Sequence, residues 1–307
     1  MKVKAVAPWF GGKRTMAPEI VAQLGPHTQY FEPFCGSAAV LFAKEPAQKE
    51  TVGDLHRDLI NLMWCVADPE KAPVLYDNLV RAPFSDDLLK EAQSRLEKLD
   101  PVDDDLLADE PSAASINRAY WYFLASWCGR NGTAGTERLD YQLAVRWTAS
   151  GGSPTVRFAH AVESLPAWHY RLQNVVILRR DAFTWLHKIE DISSSVIYAD
   201  PPYVLDKKTR GSESRYEHDF DSETECPHTK LAGVLRAYKS ARVVVSYYDC
   251  PLVRELYEGW TFIDKSRQKF LHNQNGRGNR PKHAPEVLII NGPDYSPAAT
   301  KQRQMFE

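Results

Sequence analysis

In the stretch SSSVIYADPPYVLDKK an acid, two prolines and a tyrosine (Asp200, Pro201, Pro202, Tyr203) stand directly behind an apolar run. Proline locks φ near −65° and removes the amide donor, so the backbone behind Asp200 is stiff and offers carbonyl oxygens without competing N–H groups. A carboxylate, a neighbouring carbonyl and an aromatic face suit a planar base that carries an exocyclic amino group. Such an amine is a poor nucleophile, because its lone pair is delocalised into the ring. Asp200 and the Pro201 carbonyl can accept both of its hydrogens and hold the lone pair out of conjugation. The Tyr203 ring can stack on the base and favour the positive charge that develops during attack on an electrophile. The plainer reading of the same tetrapeptide is a turn that begins at an aspartate and ends a strand.

A second stretch, QYFEPFCGSAAVLFAK, reads as a strand, a tight turn at Gly36 and a helix of small and apolar residues. Glycine lets a ligand approach the backbone, and the free amides of the helix start favour an anionic group or a nucleotide. Asp54 ends the next strand eighteen residues later, near the spacing at which dinucleotide folds put an acid on ribose hydroxyls. Strand, glycine and later acid also recur in α/β proteins without a ligand there.

These residues need elements to position them. Apolar runs between turn signals predict strands at 29–34, 50–55, 174–178, 195–199, 242–247, 261–264 and 286–291. Helical patterns at 38–44, 57–66, 182–188, 229–238 and 251–257 alternate with them, which predicts an α/β fold with a doubly wound, mostly parallel sheet. Between 68 and 171 the pattern changes: helices are expected at 71–81, 86–99 and 113–127, then a loop-rich piece. An acid at the carboxyl end of a strand sits where such sheets keep their ligand crevice, and Asp200 is one.

Composition narrows the partners. The 307 residues carry a net charge of only −2, so nucleic-acid binding must rest on local patches. Residues 265–283 hold Lys265, Arg267, Lys269, Arg277, Arg280 and Lys282 without an acid, and Lys207, Lys208, Arg210 and Arg215 cluster behind the tetrapeptide. Arg118, Arg130, Arg138 and Arg146 stand among Trp121, Tyr122, Trp127, Tyr141 and Trp147, a mixture suited to phosphate contact and stacking, although AYWYFLASW reads better as core. The acidic run DPVDDDLLADEPS would repel a phosphate backbone and should face away from it. Five scattered cysteines without a CxxC pair predict reduced thiols, and His218 and His228 are too weak a pattern for a metal, so none is expected. No apolar run is long enough for a membrane span and no secretory segment opens the chain, so a cytoplasmic protein is expected.

Four motifs in order, PWFGGKR, FEPFCGSAAVLF, GDLHRDLIN and DPPY, resemble the Dam-like D12 class of DNA adenine-N6 methyltransferases, over residues 8–66 and 174–291. The resemblance implies a Rossmann-like catalytic domain (1–66 and 172–307) that binds S-adenosylmethionine, an inserted helical target recognition domain (67–171), and adenine flipped from double-stranded DNA. Carried over by residue, Trp9, Gly11, Gly12 and Lys13 match the cofactor-closing segment. Glu32, Pro33, Phe34, Gly36 and Ser37 match the cofactor turn, and Asp54 the ribose acid. Asp181 and Phe183 look like the acid and aromatic around the cofactor's adenine, and Asp200, Pro201, Pro202 and Tyr203 match the catalytic tetrad. Arg130, Asn131, Arg146, Lys207, Lys208, Arg210, Arg277 and Arg280 are the candidate DNA contacts. A monomer or homodimer associated with the nucleoid would fit. Ala38 departs from the glycine of many relatives, and its methyl group is expected to narrow the cofactor turn. N4-cytosine methylation, glutamine side-chain methylation and an inactive DNA-binding regulator are the rival readings.

Overall fold

The computed structural model describes residues 3–9, 11–98, 114–129, 142–145, 152–204, 226–265, 267–268, 283–284 and 286–296. All eight candidate DNA contacts, the acidic run at 100–112, the cluster at 207–215 and His218 lie outside these residues.

All seven expected strands form: β1 (Gln29–Glu32), β2 (Lys49–Gly53), β3 (Val175–Leu178), β4 (Ser195–Ala199), β5 (Arg242–Tyr248), β6 (Thr261–Asp264) and, after the two-residue pair β7 (Arg267–Gln268) and β8 (His283–Ala284), β9 (Glu286–Ile290). Seven of them build one sheet in the order β3-β2-β1-β4-β5-β9-β6. The pairs from β3 to β5 are parallel, whereas β9 runs antiparallel between β5 and β6. The order reverses between β1 and β4, which makes their carboxyl ends the switch point of the sheet.

Alternate residues of the central strands enter two separate cores, so both faces of the sheet are covered. Val196, Tyr198, Val244, Leu288 and Ile290 point to one, and Ile197, Ala199, Val243, Val245, Val287 and Ile289 to the other. That is why these strands read as unbroken apolar runs rather than as alternating ones. On the first face pack α1 (Ala17–Leu24), α2 (Ala39–Ala43), α3 (Arg57–Ala67), α4 (Lys71–Val80), α5 (Asp86–Lys98), α6 (Ile116–Cys128) and α7 (Pro154–Leu172). The second face takes α8 (Pro227–Arg236), α9 (Pro251–Leu256) and two short 3₁₀ turns, Ala182–Thr184 and Leu186–Lys188. The turns replace the helix expected at 182–188, because Trp185 between them leaves helical backbone (φ −133°).

The helix α7 corrects the loop-rich reading of the segment before 171. Its Phe158, Ala161, Val162, Leu165, Trp168 and Leu172 recur at helical spacing and are buried, while Pro166, which disguised the pattern, sits on the exposed face where water can satisfy the freed carbonyl. Arg118 is a second correction: it is 3% exposed and ion-paired with Asp58 of α3, so it is no surface contact. Its neighbours Tyr122, Phe123 and Trp127 are core, as AYWYFLASW implied. Among the described residues no helix is long and apolar enough to cross a membrane.

Two indoles from the helical middle hold the amino-terminal segment in place. Trp168 Nε1 donates to the Val3 carbonyl (2.7 Å) and Trp127 Nε1 to that of Val6 (3.1 Å), while the Val6 amide donates to the Ser37 carbonyl (3.1 Å). Residues 3–7 therefore lie pinned between α6, α7 and the turn after β1.

In that turn Ala38 has φ 57° and ψ 32°, and it is the one non-glycine residue with positive φ among those described. Its side chain is fully buried in the first core. The expected narrowing of the turn is thus replaced by a conformational cost of about 1–2 kcal/mol. Glycine would relieve that cost but lose about 0.8 kcal/mol of methyl burial and about 0.5–1 kcal/mol in chain entropy. Ala38→Gly should therefore shift stability by less than about 1 kcal/mol, whereas Ala38→Val, β-branched at positive φ in a filled core, should cost more than about 2 kcal/mol in denaturant unfolding.

Candidate active site at the carboxyl edge of the sheet

The parallel register Ala199↔Val245 brings the next pair, Asp200 and Ser246, side by side where β4 and β5 end. Tyr198, Asp200 and Ser246 share one face of the sheet. Ser246 Oγ donates to Asp200 Oδ1 at 2.6 Å, and the Tyr198 hydroxyl lies 3.0 Å from the same Oγ. With the serine proton committed to Asp200, Tyr198 is the donor to Ser246. Both residues are buried, so this side of the carboxylate is fixed from within the fold.

The other oxygen faces the amino-terminal segment. Lys13 Nζ lies 3.0 Å from Asp200 Oδ2, donates to the Gly11 carbonyl at 2.9 Å, and stands 4.8 Å over the Tyr203 ring. Glu286, the first residue of β9, faces the same ammonium at 3.9 Å and accepts a hydrogen bond from the Tyr203 hydroxyl at 3.3 Å. The Tyr203 ring meets Tyr248 edge-on at 4.4 Å and lies 6.0 Å from Tyr247. Pro201 is buried and Pro202 half-buried beside it. The tetrapeptide is thus held by groups from three separate stretches of chain.

At the end of β1 the turn carries Gly36 at φ 44°, and a Cβ there would come within 2.8 Å of Trp9 Nε1. Glycine is required twice over, by its backbone and by the indole laid against it. At Gly12 a Cβ would stand 3.1 Å from the Trp9 carbonyl. Asp54 Oδ2 accepts from the Gly36 amide (2.9 Å) and Oδ1 from the His56 amide (3.0 Å), so the acid after β2 ties the two turns together. His56 in turn contacts Trp9 edge-on at 5.2 Å. Ser37 is buried, and Pro33 and Phe34 pack at the strand end. Beyond β3, Asp181 accepts from the Phe183 amide at 2.8 Å, with Lys230 Nζ 4.6 Å over the Phe183 ring.

The residues singled out in the sequence therefore collect along one edge: Asp181 and Phe183 after β3, Asp54 after β2, the Gly36 turn after β1 and Asp200 after β4, with Trp9 against the Gly36 turn and Lys13 on Asp200. Sequence reasoning missed Ser246, Tyr198, His56 and Glu286. A polar Ser246 inside the apolar VVVSYY was the available signal for the first. Lys265, counted in a basic patch, is instead paired with Glu19 at 2.9 Å, and His228 lies buried against the Tyr247 hydroxyl at 3.0 Å.

Glu32 at the end of β1 is 2% exposed and accepts from the Tyr30 hydroxyl at 2.8 Å. Burial, with the nearby negative charge of Asp200 adding to it against the Tyr30 hydrogen bond and Lys44, raises its carboxyl to about 8. Folded protein keeps this proton where the unfolded chain releases it near the ordinary 4.5, so the native state binds the extra proton across that window and stability falls as pH rises through it. Glu32→Gln, which has no proton to lose, should gain stability relative to the parent between pH 5 and 9, read from denaturant midpoints; a constant difference would mean that Glu32 is ionised in the fold.

The D12 class N6 adenine-specific DNA methyltransferase family matches residues 9–127 and 137–270, a span that includes every described residue of the edge except Glu286. No curated protein matches the chain. The chain is similar to a solved precorrin 8W decarboxylase from Methanobacterium thermoautotrophicum at 12% identity over 91% of this chain and 89% of that one, with a TM-score of 0.34. With the family matched over most of its length, the chain belongs to the D12 class of N6 adenine-specific DNA methyltransferases, enzymes of DNA adenine methylation.

Proposed function

We propose that the enzyme takes an adenine flipped out of double-stranded DNA and methylates its N6 amine at Asp200, with S-adenosylmethionine as donor. Methyltransferases of this kind typically use that cofactor. The observation that carries the reading is the fixed carboxylate of Asp200, set by Ser246 at 2.6 Å beside the Tyr203 ring and at the switch point next to the Gly36 turn.

The edge fits the cofactor. Gly36 leaves backbone where a Cβ would collide, Asp54 is an acid at the ribose position, and Asp181 with Phe183 offers a carboxylate and a flat ring for an adenine. Trp9, Gly11, Gly12 and Lys13 would close over it, and Glu32 to Ser37 would form its floor. Glu32, buried and bonded to Tyr30, would act by shaping that floor. When bound, the cofactor supplies a methyl carbon on a positively charged sulfur, which needs no further activation.

The chain's own residues do the rest by alignment. Asp200 and the Pro201 carbonyl accept the two amine hydrogens, which frees the lone pair for in-line attack, and the Tyr203 face stabilises the positive charge that grows on the base. Flipping costs a few kcal/mol, which stacking on Tyr203 and phosphate contacts offset. The segment 67–171 would read the target through Arg130, Asn131 and Arg146, while Lys207, Lys208, Arg210, Arg277 and Arg280 would hold the backbone.

Asp200→Asn should lower methyl transfer by at least about 100-fold while S-adenosylmethionine binding by calorimetry stays within about two-fold of the parent. Label incorporation near the parental rate would overturn the assignment, and modified-base sequencing of DNA from expressing cells would tell N6-methyladenine from N4-methylcytosine. Asp54→Ala should weaken cofactor binding by about ten-fold or more; unchanged affinity would remove it from the ribose.

A further inference from the structure

Asp200 Oδ1 is taken by Ser246 from within the sheet, which leaves Oδ2 as the oxygen turned to the amino-terminal segment. That oxygen is held by Lys13, whose ammonium also stands over the face of Tyr203. An N–H donor on this carboxylate and a cationic group on this ring are the two contacts drawn above for the target amine. Lys13 is 6% exposed, so its charge is matched by carboxylates and by the Gly11 carbonyl rather than by bulk water. Two carboxylates face it, Asp200 at 3.0 Å and Glu286 at 3.9 Å.

We propose that Lys13 is the resident occupant of the amine seat and Glu286 is its second berth: the ammonium neutralises Asp200 until a base enters, then shifts to Glu286 while the amine takes Oδ2. This rests on the adenine reading of Asp200 given above. The physical need is direct. A largely buried carboxylate without a partner costs several kcal/mol, and a neutral amine cannot replace a cation's charge, so the cation must leave the oxygen without leaving the site. Glu286 lies within a small rotation of the same side chain. Its bond from the Tyr203 hydroxyl keeps the berth and the stacking ring in register. Lys13 and Glu286 are in this account positioning residues, which set how often the seat is open.

The test is a double-mutant cycle on the whole enzyme, with undermethylated plasmid DNA and radiolabelled S-adenosylmethionine at fixed salt. Only the fraction of molecules with the seat open captures a base, so the apparent KM for DNA scales inversely with that fraction. Lys13→Met, which keeps the apolar stem, should lower that KM about three- to ten-fold. Glu286→Gln, which keeps an acceptor for Tyr203 but weakens the berth, should raise it by a similar factor, and Lys13→Met/Glu286→Gln should behave like Lys13→Met alone. Net charge alone predicts the opposite signs, since losing a cation weakens and losing an anion strengthens attraction to DNA. A rise in KM for Lys13→Met, or a Glu286→Gln effect that persists in the double variant, would overturn the proposal. Calorimetric cofactor affinity and melting temperature are measured on each variant. Loss of either with no KM shift of the expected sign would leave Lys13 only its cofactor-closing or a structural role and overturn the proposal as well. Failure of the underlying adenine reading would show separately, as an active Asp200→Asn enzyme.

Discussion

A carboxylate at the end of a buried strand has to be compensated, and in this protein the compensation comes from two separate parts of the chain. Asp200 takes one hydrogen bond from Ser246 on the neighbouring strand and one ion pair from Lys13 near the amino terminus. The first fixes where the acid points. The second ties the amino-terminal segment down on the switch point between β1 and β4. An acid left with neither would relax toward solvent, and the ring of Tyr203 would lose the partner that sits over it.

Lys13 reaches that position because the chain before it is immobilised by helices distant in sequence. The indoles of Trp127 and Trp168 hold the carbonyls of residues 3 and 6, and the Ser37 carbonyl takes the Val6 amide. Helix α6 is joined to α3 by the Asp58–Arg118 pair and by reciprocal bonds between Asn61 and Ser115, and α7 by His169 Nδ1, 2.7 Å from the Val66 carbonyl. The helical middle, expected as an insertion for reading DNA, therefore also belongs to the scaffold that places the candidate active-site lysine. Substitutions at Trp127 or Trp168 would act on the site through packing.

The turns on the same edge are linked in the same way. Asp54 binds the Gly36 and His56 amides, and the Trp9 indole lies on Gly36 and against His56. The ends of the adjacent strands β1 and β2 are thus cross-braced by hydrogen bonds and one aromatic plate. A surface of this kind can bind a ligand without large reorganisation, because the donors and flat faces are already oriented.

Much of this was legible before any fold was known. Strands buried on both faces announce themselves as apolar runs, and an acid, a glycine or two prolines behind such a run mark its end, so the seven strands, the Gly36 turn and the Asp200 tetrapeptide could be read in one dimension, and their ordered motifs pointed to the family. What the sequence could not disclose were relations across distance. Ser246 and Glu286 acquire meaning only from register between strands, Lys13 only from the indoles that pin its segment, and Arg118 only from the acid it meets inside. Helix α7 was hidden by Pro166, whose harm depends on whether its face is buried or wet. Local pattern determines which elements form and where they stop, because backbone geometry and burial are set by near neighbours. Which side chains then confront one another is decided by packing, and that is a property of the whole chain.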